Sequence, residues 1–223
     1  PDAGQPPHPG APLPGGDRAI KEPRRVALGM LYELFGEATF SRTDLPTLQA
    51  FSPSELKLLA SMLHRGVNAP QACSVGRIFD GVSSLLGMRQ TLSFEGQGAM
   101  ALEFAAQYND TRECYPFSIE GAIVDWQPMV QAILDDRDRH RTTGEMAAKF
   151  HNTLVEIVVA VARSFNNMPV VLTGGCFQNK RLLEGSVDRL QQARSRPFWH
   201  QKIPPNDGGI AIGQVMATLL RKL

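Results

Sequence analysis

The chain has 223 residues, of which 43% are hydrophobic and 20% charged, a composition ordinary for a globular protein. Its 23 Lys and Arg residues nearly balance its 22 Asp and Glu residues, giving a formal net charge of +1, so we expect neither nucleic acid nor a membrane surface among its partners. No apolar run approaches the roughly 18 residues that a membrane span needs, and the first residues do not resemble a signal peptide.

The cysteines and histidines are few and scattered. The three cysteines form no Cys-x-x-Cys pair and suggest no disulfide framework, so we expect a cytoplasmic protein. The five histidines include no HExxH or HxH pair. A metal site built from this chain alone would therefore be poor in imidazole ligands.

Residues 1–16 contain six prolines and four glycines and are predicted to be a flexible loop or linker rather than a core element. A chain that starts at Pro1 within such a stretch suggests a fragment. From Asp17, an N-cap candidate, the composition changes, and residues 17–223 are predicted to form the folded part.

The folded part is predicted to be a helix-rich α/β structure with helices against a small sheet. Its last part alternates strand and helix, and its earlier part is mainly helical. Two helices are predicted to begin near Pro23 and at Pro128, and six more are predicted over 53–65, 75–87, 96–107, 145–165, 179–193 and 209–222. Strands are predicted over 117–124, 169–173 and 198–203.

The first candidate site is the turn that contains Gly174 and Gly175, between a predicted strand and the helix that starts near Asn179. Glycines permit a close backbone approach to a ligand, and a helix N-terminus attracts phosphate. The alternative is a tight turn without a ligand. Cys176, beside the glycines, is interpreted as a small apolar filler rather than a nucleophile.

The second candidate is Asp207, which follows a predicted strand and precedes the last helix. A carboxylate there could hold a metal or orient a phosphate, because open α/β sheets bind ligands at the carboxyl ends of their strands. The alternative is that Asp207 only caps the last helix.

Two further carboxylates, Asp80 and Glu95 beside Gly96, are suitable partners for ribose hydroxyls but could equally be surface residues. His151, in the most regular helix, is interpreted as a flanking or satisfied core histidine rather than a ligand.

Five segments taken in order resemble the C-terminal part of the hydrogenase-maturation carbamoyltransferases of the HypF type, from about residue 13 to the end. The segments are PGGDRAIKEPRR (14–25), GRIFDGVSSLLG (76–87), SFEGQGAMALE (93–103), LTGGCFQN (172–179) and IPPNDGGIAIGQ (203–214).

The resemblance implies a Kae1-like module of the actin/Hsp70-like (ASKHA) fold. It also implies a reaction in which carbamoyl phosphate and ATP give a carbamoyl-adenylate. The carbamoyl group would then pass to the C-terminal cysteine of a HypE-type partner, toward the cyanide ligands of [NiFe]-hydrogenase.

By motif match, the resemblance assigns Gly174, Gly175 and Asn179 to the nucleotide phosphates and Asp207 to a divalent metal such as Fe, Zn or Mg. The segment around the ribose would contain Asp80, Glu95 and Gly96. The family's HxHAH-type motif, which supplies histidine ligands, is absent from this sequence, so we expect an upstream lobe of the same enzyme to carry it.

Two other functions remain open at this point. One is an O-carbamoyltransferase of small-molecule biosynthesis with the same architecture, although the EPRR and FQN segments favour hydrogenase maturation. The other is a catalytically incomplete interaction subunit, which the missing histidine motif favours.

Overall fold

The computed structural model describes residues 10–165 and 168–220. The chain divides into two compact units, Pro1–Phe150 and His151–Leu223, and the division falls inside a long helix. The helix-rich α/β class predicted from the sequence is confirmed. Strands in the described ranges form three two-stranded sheets, of which two are antiparallel and one is parallel.

The first unit is mainly helical, and its short strands form the two antiparallel pairs, β1 with β2 and β3 with β4. A 3₁₀ turn covers Gly36–Ser41. The elements are β1 (Ala11–Pro12), α1 (Arg18–Lys21), α2 (Pro23–Phe35), α3 (Pro46–Gln49), α4 (Pro53–Arg65), β2 (Gln71–Ala72), α5 (Val75–Leu85), α6 (Gln97–Ala106), β3 (Ser118–Glu120), β4 (Ile123–Asp125), α7 (Gln127–Asp138) and the start of α8 (Thr143–Arg163).

Helix α4 shows how local sequence sets a helix boundary. The Ser52 hydroxyl accepts from the Glu55 amide at 3.2 Å, and the Glu55 carboxylate accepts from the Ser52 amide at 2.8 Å. Pro53 occupies the first turn, and Gly66 ends the helix in the left-handed region. These signals are local, so the predicted bounds 53–65 are confirmed to the residue.

The core of the first unit forms where α5 packs on α2. Gly81 on α5 has no side chain and faces the sulfur of Met30 on α2, so the two helices approach closely. Phe79, on α5, meets Phe150 edge-to-face with 5.1 Å between ring centroids. This arrangement holds α5, and with it Asp80, in the buried interior.

The prediction of a flexible loop over 1–16 is wrong for its second half. Ala11–Pro12 pairs with Gln71–Ala72 as β1, and Ala11 and Leu13 are buried. The segment fits because Gly29 of α2 lacks a side chain at the point where the Pro12 carbonyl packs against it. Residues 1–9 of that prediction lie outside the described residues.

The prediction of one strand over 117–124 is also wrong, because the chain turns back on itself at Gly121. Strands β3 and β4 pair antiparallel, with Ile119 opposite Val124. Gly121 has φ +61°, a conformation that glycine adopts without steric cost.

The second unit has the predicted order of strand, helix, strand and helix. Strands β5 and β6 are parallel, with Val171 opposite Phe198. A buried cluster of Val159, Leu172, Val187 and Leu190 joins the end of α8 to β5 and α9. The elements are β5 (Val170–Leu172), α9 (Lys180–Gln192), β6 (Pro197–Trp199) and α10 (Ile210–Leu220), with 3₁₀ turns at Gly175–Gln178 and Asp207–Gly209.

None of the helices within the described ranges is both long enough and apolar enough to cross a membrane.

Candidate nucleotide site

Two loops of the second unit meet at the carboxyl ends of β5 and β6. The Gly174 amide donates to the Pro205 carbonyl at 2.8 Å, which joins the loop after β5 to the loop after β6. One residue earlier, Thr173 Oγ1 lies 3.0 Å from Nε2 of His200. The structure therefore brings the glycine pair and the Asp207 segment together at the edge where parallel strands place ligand sites.

The glycine pair leaves space in front of its backbone. Gly174 has φ +103° and ψ 159°, a region that only glycine adopts readily. A Cβ built on Gly174 or Gly175 would have no heavy atom of the described chain within 4 Å. The backbone conformation alone accounts for glycine at Gly174. At Gly175 neither the backbone nor packing within the described chain explains the missing side chain, whereas a ligand on this face would.

Asn179 lies at the start of α9 with its side chain turned inward. Its Oδ1 accepts from the Leu182 amide at 2.9 Å, and its Nδ2 lies 3.0 Å from Nε2 of His151. Asn179 is 7% exposed and His151 1% exposed. The interpretation of His151 as a satisfied core histidine is confirmed, while direct contact of Asn179 with a nucleotide stays a prediction.

Asp207 is exposed at the first position of a 3₁₀ turn. The preceding residue caps this turn, because Asn206 Oδ1 accepts from the Gly208 amide at 3.1 Å. Asn206 is therefore the cap of this turn, and the alternative that Asp207 caps the last helix stays a prediction.

No group of three His, Cys, Asp or Glu side chains that could hold a metal occurs among the described residues. The residues present do not make a metal site by themselves. The assignment of Asp207 as a metal ligand stays a prediction and needs further donors from outside this part of the chain.

The third candidate cluster lies in the first unit, around Asp80 on α5. The Asp80 residue is 2% exposed, and its Oδ2 is 3.0 Å from Nη1 of Arg77. This oxygen has an ion-pair neighbour but no hydrogen-bond partner among the described residues. The buried Ser83 hydroxyl, one turn along α5, also has no hydrogen-bond partner.

The start of α6 covers the Asp80 cluster. A Cβ on Gly98 would lie 2.9 Å from Asp80 Oδ1 and 3.3 Å from Ser83 Oγ, so only glycine fits there without a shift. Gly96, with φ +81°, is the N-cap residue that precedes α6. Glu95 precedes Gly96, is exposed, and is near enough to Asp80 for its charge to raise the pKa of that carboxyl group, so the three residues lie in one region of the first unit.

Burial raises the pKa of Asp80 to about 6, and the Glu95 charge adds to this shift while Arg77 opposes it. A buried carboxyl group with an unsatisfied oxygen is costly for folding. Such groups concentrate at functional sites.

Sequence reasoning missed Ser83, Gly98 and Asn206. Gly98 carried a signal, since it stands two residues after Gly96 in the same motif. Asn206 also carried one, because Asn before Asp-Gly favours a side-chain-capped turn. Ser83 gave no signal, since nothing in the sequence marks a buried hydroxyl as unpaired.

Comparison with known proteins gives consistent matches. The family model for the second subdomain of the Kae1-like domain of carbamoyltransferases matches residues 8–214. The chain is 37% identical to carbamoyltransferase HypF of Synechocystis sp., covering 93% of this chain and 29% of that protein. A HypF homolog of Cupriavidus necator is 31% identical, with 91% of this chain and 54% of that protein covered.

Solved structures match as well. A full-length HypF in a phosphate- and nucleotide-bound form superposes with a TM-score of 0.82 at 32% identity, covering 92% of this chain and 27% of that one. HypF of T. kodakarensis gives a TM-score of 0.80 at 25% identity. The chain spans less than a third of the length of most of these proteins. By sequence and by structure, it belongs to the carbamoyltransferase family, as the second subdomain of the Kae1-like domain.

Proposed function

We propose that this chain forms the nucleotide-facing part of a carbamoyltransferase of [NiFe]-hydrogenase maturation. In the proposed reaction, water releases inorganic phosphate from carbamoyl phosphate, and the resulting carbamate reacts with ATP to give a carbamoyl-adenylate and pyrophosphate. The C-terminal cysteine thiolate of a HypE-type partner then takes the carbamoyl group, and AMP leaves. The observation that carries the proposal is the joining of the two motif loops through Gly174 and Pro205.

The loop after β5 suits a phosphate group. The 3₁₀ turn Gly175–Gln178 leads directly into α9, a 13-residue helix whose N-terminus carries a positive partial charge. Backbone amides around this turn can donate to phosphate oxygens, and the open space over Gly174 and Gly175 leaves room for them. A full-length relative has been solved with phosphate and nucleotide bound, which supports the assignment.

The Asp80 cluster suits a ribose. The two ribose hydroxyls can each donate and accept, and Asp80 Oδ2 and Ser83 Oγ are buried polar atoms without hydrogen-bond partners. The start of α6 covers both atoms, so a ribose would reach them only with a shift of the segment around Gly98. A hydroxyl that then donates to Asp80 would satisfy the carboxylate. Ser83 would gain a partner from the same group, so ligand binding would remove two costs that folding alone leaves.

The metal, when bound, would supply a positive charge near phosphate oxygens. In this chain the proposal assigns it Asp207, which is exposed on the loop that Pro205 joins to Gly174. The described residues do not complete its ligand shell, so the remaining ligands would come from outside this part of the chain.

The second unit presents apolar surface that the rest of a larger enzyme would cover. Val171 and Phe198, on β5 and β6, are exposed by 64% and 53%. Parallel strands normally have both faces of their sheet buried, so this exposed pair resembles part of a larger sheet. Helix α10 adds exposed side chains at Ile210, Ile212, Val215, Met216, Leu219 and Leu220. We assign this surface to the upstream lobe.

The test uses a chimera in which this chain replaces the matching segment of the Synechocystis HypF, to which it is 37% identical. We expect carbamoyl-phosphate-dependent release of AMP and pyrophosphate from ATP by the chimera and none by the 223-residue chain alone. A folded chimera without this activity, beside an active native enzyme prepared in the same way, would overturn the proposed function. Release by the isolated chain would overturn the need for an upstream lobe.

A further inference from the structure

His151 and Asn179 form a buried polar contact behind the loop that carries the glycine pair. His151 lies on α8 and Asn179 at the junction of the 3₁₀ turn and α9, and the two side chains meet at 3.0 Å between Nε2 and Nδ2. Both residues belong to the second unit. His151 is 1% exposed and its Nε2 faces the Asn179 side chain, so any effect of the ring on the loop passes through Asn179.

The hydrogen-bond network fixes the protonation of this pair. Asn179 Oδ1 accepts from the Leu182 amide, so the amide nitrogen is the atom that faces the ring. An amide nitrogen only donates, and Nε2 must therefore accept, which requires a neutral imidazole with its proton on Nδ1.

We propose that His151 is a positioning residue, which holds the loop Gly174–Asn179 in its nucleotide-binding shape through Asn179. The inference rests on the proposed function, because that function makes this loop the phosphate site. Asn179 closes the 3₁₀ turn, since its own amide donates to the Cys176 carbonyl at 3.2 Å, and its side chain caps α9. Fixing this one side chain therefore fixes both the turn and the helix start.

The loop needs such an anchor because its glycines make no side-chain contacts. Gly174 is held at one end by its bond to the Pro205 carbonyl. At the other end, the Asn179 side chain ties the loop to α8. Removing the His151 acceptor would leave the Asn179 nitrogen buried and unpaired, which favours a shift of the loop.

The competing explanation is that His151 only fills space in the core. The two explanations differ for substitutions of similar size. Leu fills much of the volume but accepts no hydrogen bond, whereas Gln can offer Oε1 to the Asn179 nitrogen. Val159→Ala provides a matched control, since Val159 is buried on the same helix in the hydrophobic cluster of this unit.

The experiment measures two quantities for His151→Leu, His151→Gln and Val159→Ala. Amide hydrogen exchange of the 223-residue chain reports order in the loop, and ATP affinity of the chimera reports binding. We expect His151→Leu to speed exchange in residues 174–182 by about tenfold beyond the rest of the unit and to weaken ATP binding by about tenfold. His151→Gln is expected to restore both, and Val159→Ala to speed exchange evenly across the unit.

Unchanged loop exchange in His151→Leu would overturn the inference, as would equal effects of Leu and Gln or of Leu and the Val159→Ala control. If the unsubstituted chimera binds no ATP, the proposed function fails. The exchange measurement still decides whether His151 holds the loop in that case.

Discussion

The amide of Gly174 donates to the carbonyl of Pro205 at 2.8 Å, and this bond joins the two loops that follow the parallel strands β5 and β6. It sets Gly175 on one loop and Asp207 on the other at the same edge of the sheet. Within the described chain no side chain fills the space in front of the glycines. We expect this edge, and separately the Asp80 cluster of the first unit, to serve ligand binding rather than stability.

Asp80 is expected to make folding less favourable as the pH rises from about 4 to 6. Its folded-state pKa of about 6 lies above the ordinary value of 3.8, so the folded chain keeps a proton that the unfolded chain has released. Once the pH is above the folded-state pKa, the free energy of unfolding has fallen by about 3 kcal/mol. Asp80→Asn removes this decline, and urea midpoints at pH 4, 5, 6 and 7 for both proteins measure the difference.

The control for Asp80 is Asp188→Asn, at an exposed position of α9. It is expected to follow the unsubstituted chain at every pH. Parallel stability curves for Asp80→Asn and the unsubstituted chain would contradict the assignment of a buried, destabilising carboxyl group.

Asp136 is expected to behave in the opposite way. Burial disfavours its charge, but hydrogen bonds from Lys149 at 2.7 Å and Tyr115 at 3.0 Å outweigh burial and hold the pKa of Asp136 below its ordinary value. Its stabilisation is thus present above the unfolded pKa of about 4 and lost as the pH falls through the folded one. Asp136→Asn should lower the free energy of unfolding at pH 7 by about 2–4 kcal/mol.

Glu113→Gln is the matched control for Asp136, since Glu113 also pairs with Lys149, at 3.2 Å, but its side chain is 70% exposed. An exposed ion pair contributes about 0–1 kcal/mol. Urea unfolding at pH 7 measures the free energy of unfolding of both variants. Equal decreases would show that the buried hydrogen bonds of Asp136 stabilise the fold no more than the exposed ion pair of Glu113 does.

Local signals made much of the fold predictable. Ser52, Pro53 and Glu55 define the start of α4 without reference to the rest of the chain. The pairing of β1 was not predictable, because the Pro12 carbonyl fits only where Gly29 of α2 leaves room, a contact between distant residues. The hairpin at Gly121 was missed because two three-residue strands carry too short a pattern to separate from one longer strand.

Some features of the candidate site could likewise be predicted from the sequence, and others could not. The meeting of the Gly174 and Asp207 loops followed from the order of strands and helices, since parallel strands end at one edge. The contact between His151 and Asn179 joins two helices, and no spacing rule places them together. The sequence also could not show that Asp80 is buried, because an acidic residue in a helix is more often exposed.

Asp207→Asn is expected to leave the melting temperature of the chimera nearly unchanged, because Asn206 caps the 3₁₀ turn and Asn caps a helix about as well as Asp does. Asn is a neutral and weaker metal ligand than Asp, so the proposal predicts loss of bound metal and of carbamoyl transfer. Metal content by elemental analysis, measured beside the transfer rate, checks both. Full metal occupancy with normal transfer would remove Asp207 from the metal site.

The most direct test of the nucleotide assignment is the ATP affinity of the Gly175→Val chimera, measured by calorimetry. A Cβ at Gly175 meets no atom of the described chain, and its φ is not in the left-handed region, so the fold should survive. The added side chain would occupy the space assigned to the phosphates. We predict an unchanged melting temperature with ATP binding weakened by at least about a hundredfold, roughly 3 kcal/mol. Unchanged ATP affinity in a folded variant would contradict the account, because the glycine pair would then be only a turn.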